Sequence, residues 1–262
     1  MSDEPAVLVE QAGAVRRLVL NRPAQRNAID PRLLAELDAA LAAAAQDDGV
    51  SVVVLAGRGP SFCAGADLRH LRSLCERAGD PLAWIAEISA AITRLERCPK
   101  PVVAALHGHV VAGGLELALA CDAVLAADGT LIGDGHVRNR LLPGGGSSVR
   151  LARAVGVPLA RWLLLSGELL PAERFAAAGW LHAVVPGERL EAEAHALAER
   201  LAAASGPAQR NLKALLSEQR ELTLDAGLAA ELRAFERNWA DADVPAGLEA
   251  FLARRSTTHD RT

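Results

Sequence analysis

A chain of 262 residues, 51% of them hydrophobic, can bury a sizeable core as one large α/β domain or a core domain with a small appendage. Its formal charge of -4 supplies no global field for a nucleic-acid backbone, so nucleic acid is a poor first expectation. Aromatics make up only 3% and tyrosine is absent, which leaves Ala, Leu and Val to fill the core and removes tyrosine from the list of catalytic acids.

The opening run MSDEPAVLVEQAG is acidic and lacks the charged-then-apolar pattern of an export signal, so a cytoplasmic protein is expected. Residues 6–11 and 15–20 predict two short strands around a turn at Gly13. Asp30-Pro31 offers an N-cap and a first-turn proline, and Leu33, Leu34, Leu37, Ala40 and Leu41 recur at helical spacing, which predicts a helix to about Asp47. Residues 51–56 (SVVVLA) and 102–106 (VVAAL) are continuous apolar runs, too short for helices and suited to strands covered on both faces. Helical segments separate them, which predicts a mostly parallel sheet with helices outside. The apolar stretch 101–127 is interrupted by His107, His109, Glu116, Asp122 and glycines and therefore reads as protein core rather than membrane. Beyond Pro143 the pattern predicts helices at 149–156, 158–166, 171–179, 188–204, 207–220, 222–240 and 243–255, with apolar faces in the last three.

Three Gly/Ala-rich turns stand out, at 61–68 (SFCAGADL), 111–116 (VAGGLE) and 142–148 (LPGGGSS), each following a strand-like stretch and preceding a helical one. Small side chains there expose backbone N–H groups at helix entrances, where an oxyanion or phosphate can be held. Glu116 sits in the first turn of GGLELALACD, otherwise apolar all round, so burial should raise its pKa and suit it to acid–base work. A structural carboxylate capping helix amides accounts for it equally well on the residues alone. His136, just before the third turn, is either a proton-transfer group or a hydrogen-bonded structural residue. His107 and His109 would share one face of a strand and invite a metal, but spacing supplies no third ligand. The cysteines, Cys63, Cys75, Cys98 and Cys121, contain no CxxC pair, which argues against a zinc knuckle or disulfide framework and for a reducing compartment. No local partner would activate Cys63 as a nucleophile.

Taken together and in order, NRPAQRNAID, FCAGADL, KPVVAALHGHVVAGGLELALACD, IGDGHVRNRLLPGGGSSVRLARAVG and VPAGLEAFLARR resemble the enoyl-CoA hydratase/isomerase, or crotonase, superfamily along nearly the whole chain. The resemblance implies an α/β crotonase-type spiral of ββα units over 1–200. It also implies a helical C-terminal region over 201–262 that mediates trimers, often paired into hexamers, and covers the active site. It implies that the backbone N–H groups of Ala66 and Gly113 form an oxyanion hole for a thioester carbonyl. The Ala64 carbonyl would meet the coenzyme A adenine, with Arg22, Arg26 and Lys213 as candidates for its phosphates. No metal or redox cofactor is expected, because coenzyme A arrives as part of the substrate.

Glu116 falls on one of the two glutamates with which hydratases of this family position and activate water. His136 stands where the second would be. The resulting expectation is an enoyl-CoA hydratase-like enzyme of acyl-CoA, or fatty acid, metabolism in which Glu116 handles water and His136 the partner proton transfer. Double-bond isomerisation, decarboxylation or hydrolysis through the same enolate, and a non-catalytic acyl-CoA-binding protein, are the alternatives. A retro-Claisen cleavage of carbon–carbon bonds also uses a histidine here, but with an aspartate at the position of Gly145.

Overall fold

The computed structural model describes residues 4–259. The chain divides into two compact units, 1–202 and 203–262.

The first unit opens with the antiparallel pair β1 (Val7–Ala12) and β2 (Val15–Leu20), turning at Gly13. Helix α1 (Pro31–Gln46) starts where Asp30 accepts the Leu33 N–H at 2.8 Å and Pro31 presets the first turn. Then come β3 (Val52–Gly57), α2 (Leu68–Glu76), α3 (Pro81–Glu96), β4 (Val102–Leu106), β5 (His109–Val111) and α4 (Gly113–Leu119). They are followed by β6 (Ala123–Ala127), β7 (Leu131–Gly133), α5 (Ser147–Val155), α6 (Val157–Ser166), β8 (Leu170–Pro171), α7 (Ala172–Ala177), β9 (Ala183–Val185) and α8 (Leu190–Ala202). A six-stranded sheet runs β1-β2-β3-β4-β6-β9, parallel from β2 onward, and a smaller sheet runs β5-β7-β8.

The continuous apolar runs are strands covered on both faces. In β3, Val53 and Leu55 join the main core cluster while Val52, Val54 and Ala56 face a second cluster with Leu190, Ala194 and Leu197 of α8. In β4, Val102, Ala104 and Leu106 take the first side and Val103 and Ala105 the other. With a side-chain period of two and apolar layers on both sides, no position in either strand is free to be polar.

The second unit is helical: α9 (Gly206–Glu218), α10 (Leu224–Asp241) and α11 (Val244–His259). Leu215, Ala230 and Ala234 form its small core. Leu232 and Phe235 on α10 are 70% and 59% exposed, so an apolar face is left uncovered in this chain.

The two-histidine expectation is corrected here. Strand β4 ends at Leu106, Gly108 adopts φ +60°, and His109 begins β5 in the smaller sheet, so the histidines share no strand face. His107 Nε2 lies 2.9 Å from the Gly59 carbonyl, and no metal-binding group occurs among the described residues. The third glycine turn also differs from expectation, since a 3-10 turn (His136–Asn139), rather than a strand, precedes it. Among the described residues no helix is long and apolar enough to cross a membrane.

Candidate active site

Three loops meet beyond the strand ends, and buried Asn27 ties two of them. Its left-handed φ of 56° is one asparagine tolerates, its Nδ2 donates to the carbonyls of Ser61 (2.8 Å), Arg58 (3.0 Å) and Phe62 (3.1 Å), and its Oδ1 accepts the Arg22 N–H at 2.8 Å. Next to it, Ile29 donates to the Gly65 carbonyl and accepts from Asp67 N–H, both at 2.8 Å, as in a parallel ladder. Alternate groups of an extended segment point in opposite directions, so the Ala66 N–H faces away from Ile29 and finds no protein acceptor among the described residues.

The loop carrying Ala66 and the start of α4 approach so closely that only glycine fits between them. Gly65 has φ +96°, and a Cβ there would lie 2.9 Å from Ala112 Cβ and 3.2 Å from Gly113 N. Ala112, at φ 52° and ψ -119°, holds a conformation that costs an alanine about 1–3 kcal/mol. The strain turns the chain sharply from β5 into α4, whose first N–H, that of Gly113, has no intrahelical acceptor. A Cβ on Gly113 would stand 3.5 Å from Ala66 N, so the two amides are neighbours. Both residues line a cavity of about 470 Å³. Sequence reading missed the strain at Ala112, since alanine carries no mark of a positive φ.

Glu116 lies one turn into α4, 2% exposed, and borders the same cavity. Its Oε1 accepts the N–H groups of Gly145 (2.8 Å) and Ser147 (3.0 Å), at the entrance of α5. The carboxylate therefore caps a helix, but α5 rather than its own, and does so through Oε1. Burial raises its pKa above the ordinary carboxylate value, opposed by the Ser147 amide, the charge of His136 and the Gly145 amide. Gly145 is part of this arrangement: a Cβ there would lie 2.5 Å from both Glu116 Oε2 and Ile92 Cδ1. The aspartate that the resemblance associates with a retro-Claisen route is absent here, and a side chain at this position would have to displace the Glu116 carboxylate or the tip of Ile92.

His136 opens the 3-10 turn after β7 and lines the cavity with Glu116. Its Nδ1 lies 3.0 Å from Oδ2 of fully buried Asp134. Burial works to lower the histidine's pKa, but the hydrogen bond to Asp134 and the charges of Asp134 and Glu116 outweigh it and raise it above the usual imidazole value. The remaining wall is largely aliphatic, with Leu71, Ile85, Ile88 and Leu142 beside Cys75 and Asn139, and among the described residues no Lys or Arg lines it. A larger cavity, about 950 Å³, lies on the other face of the six-stranded sheet beside α8 and contains none of the site residues expected from sequence.

The enoyl-CoA hydratase/isomerase family model matches residues 10–261. The chain belongs to that family. It is 37% identical over 249 residues to a probable enoyl-CoA hydratase of Rhizobium meliloti (strain 1021), with 95% of each chain covered. It is 36% identical to the 2,3-dehydroadipyl-CoA hydratase of Escherichia coli (strain K12), covering 95% of this chain and 96% of the relative. The crystal structure of an enoyl-CoA hydratase from Polaromonas sp. JS666 superposes with a TM-score of 0.90 at 33% identity, covering 95% of this chain and 97% of that one.

Of the family's expected coenzyme A contacts, Ala64 lines the cavity, and its N–H donates to the Arg26 carbonyl at 3.0 Å. Arg26 itself is exposed, in a left-handed conformation closing a 3-10 turn. Arg22 is engaged elsewhere: its Nη2 lies 3.1 Å from both Asp30 and Asp67, the N-caps of α1 and α2, and Nη1 donates to the Ala28 carbonyl. Lys213 is carried by α9 in the second unit. Cys63 is sealed in the core with its thiol pushed up to about 12 by burial, which removes it as a nucleophile.

Proposed function

We propose that this protein adds water across the double bond of a 2-enoyl-CoA thioester. The observation that carries the reading is the convergence, on one aliphatic cavity, of two neighbouring unengaged amides, a clamped glutamate and a histidine. The N–H groups of Ala66 and Gly113 take the thioester oxygen and the negative charge that develops there. One such donor is worth about 3 kcal/mol of barrier.

Glu116, held by two amides in one orientation, presents Oε2 to water and accepts its proton as the oxygen bonds to Cβ. The alkene electrons move to the thioester oxygen, giving an enolate on the two amides. His136, in its charged form, delivers a proton to Cα, and the proton on Glu116 then resets the histidine. The names of the curated relatives, hydratases of enoyl-CoA thioesters at 36–37% identity, support this chemistry. The largely aliphatic wall favours an acyl chain with an apolar segment beyond the thioester.

The family's coenzyme A contacts are assigned to the Ala64 carbonyl, Arg26 and Lys213, and to Arg22 only if it leaves its aspartates. The exposed apolar face of α9 and α10 supports self-association, for which the family resemblance implies a homotrimer or a dimer of trimers. Four free cysteines favour a reducing, cytoplasmic setting.

The test is loss of the conjugated thioester absorbance from straight-chain 2-enoyl-CoAs of graded length, with product mass raised by one water. Glu116→Gln is expected to lower kcat by about 10²- to 10⁴-fold. No turnover on any chain length, or a product without the added water, overturns the hydratase assignment.

A further inference from the structure

Family resemblance assigns no task to Asp134, yet its carboxylate has a specific arrangement. It lies just past β7, is fully buried, and directs both oxygens at one residue: Oδ2 sits 3.0 Å from His136 Nδ1 and Oδ1 accepts the His136 backbone N–H at 3.3 Å. Gly135 between them adopts φ +69°, which folds the chain back far enough for both contacts. No other ion pair to Asp134 occurs among the described residues, so His136 is the countercharge that makes this burial tolerable. Were Asp134 only the cap of the 3-10 turn, the backbone contact alone would suffice.

A carboxylate can only accept, so the proton in the side-chain contact belongs to Nδ1. With Nδ1 spent, Nε2 is the ring nitrogen available to the cavity that His136 lines. We propose that Asp134 is a positioning residue which fixes the Nδ1–H form of His136, aims Nε2 at the substrate α carbon, and holds the ring in its proton-donating state. This rests on the hydratase reading above and divides the labour within it: Glu116 works as the base and His136 as the acid. Asp134 from the post-β7 loop and Glu116 from α4 are the titratable groups whose charges face the ring, and both favour its charged form. The pair thereby performs the proton delivery for which, among the described residues, no second glutamate lines the cavity.

The experiment uses the full chain with a 2-enoyl-CoA and compares wild type with Asp134→Asn, whose side-chain oxygen can still cap the turn. The expected result is a fall in kcat of about 10²-fold with KM within about threefold. The alkaline limb of the kcat profile should move to lower pH, because the charge that favours imidazolium is gone. A variant with unchanged kcat and an unmoved limb overturns the proposal, as does a loss confined to KM or to folding stability.

A second measurement does not depend on turnover. Nitrogen NMR of the His136 ring in the wild type, at a pH where it is neutral, should report the Nδ1–H tautomer. A ring protonated mainly at Nε2 overturns the assignment even if the enzyme hydrates its substrate. An inactive wild type with the expected tautomer would instead refute the hydratase reading while leaving the pairing in place.

Discussion

Glu116 illustrates how one side chain satisfies two demands that the sequence presents as alternatives. Its Oε1 caps a helix while the residue lines the cavity, so the proposed mechanism divides structural and chemical roles between its two oxygens. Keeping the ionised form buried has a cost, and linkage gives its sign. A carboxyl whose folded pKa is raised favours the folded state most at low pH, and that contribution is lost as pH rises through the folded value. Glu116→Gln retains an Oε1 acceptor for both amides but cannot ionise. Thermal unfolding should therefore show the variant at least as stable as wild type at neutral pH, with its relative advantage shrinking as the pH is lowered, while its activity collapses. A variant much less stable than wild type at neutral pH would contradict this account. Asp67 shows the opposite sign: burial raises its pKa, but the hydrogen bond from Arg22 and the amides of His70 and Arg69 outweigh that and lower it overall. Its contribution is present above the ordinary carboxylate range and lost as acid titrates the folded form.

At the scale of elements, the site is an arrangement of chain ends around glycines that leave no space for side chains. Gly114 packs on the Cys63 carbonyl and Gly65 on Ala112, which sets the spacing of the Ala66 and Gly113 amides. Gly145 leaves the room in which Glu116 meets the α5 entrance. Gly145→Ala should displace the glutamate or Ile92, at a stability cost of about 1–3 kcal/mol. Its kcat should fall by about 10-fold or more, since the catalytic group moves with the clamp. Denaturant melts and initial rates together check this, and a Gly145→Ala enzyme with wild-type kcat would show that the clamp is not needed. Elements were legible where local signals agreed: the Asp30-Pro31 cap places the start of α1, and the all-apolar runs became β3 and β4. His107 and His109 misled because Gly108, left-handed, ends one sheet and lets the next begin.

For the whole molecule, the feature that a single chain does not resolve is the uncovered apolar face of the C-terminal helices. Leu228, Leu232, Phe235 and Trp239 are each at least half exposed, more than a stable surface helix needs to present to water. Sedimentation or light scattering is expected to give a multiple of the 262-residue mass, in threes. Leu232→Asp with Phe235→Asp should shift it toward the single chain without altering far-ultraviolet circular dichroism; a native wild-type monomer would overturn the assembly proposal. Sequence alone determined what depends on neighbours in the chain: helix caps, doubly covered strands, glycine turns at helix entrances, and the motif order that places the chain in its family. Tertiary structure alone decided which separated segments meet. The Glu116 clamp spans 29 and 31 residues to Gly145 and Ser147, and the Asn27 contacts to Arg58, Ser61 and Phe62 span 31, 34 and 35. The physical reason is that such contacts form only when sheets and helices pack, and a sequence period carries no record of the partner on the far side of that packing.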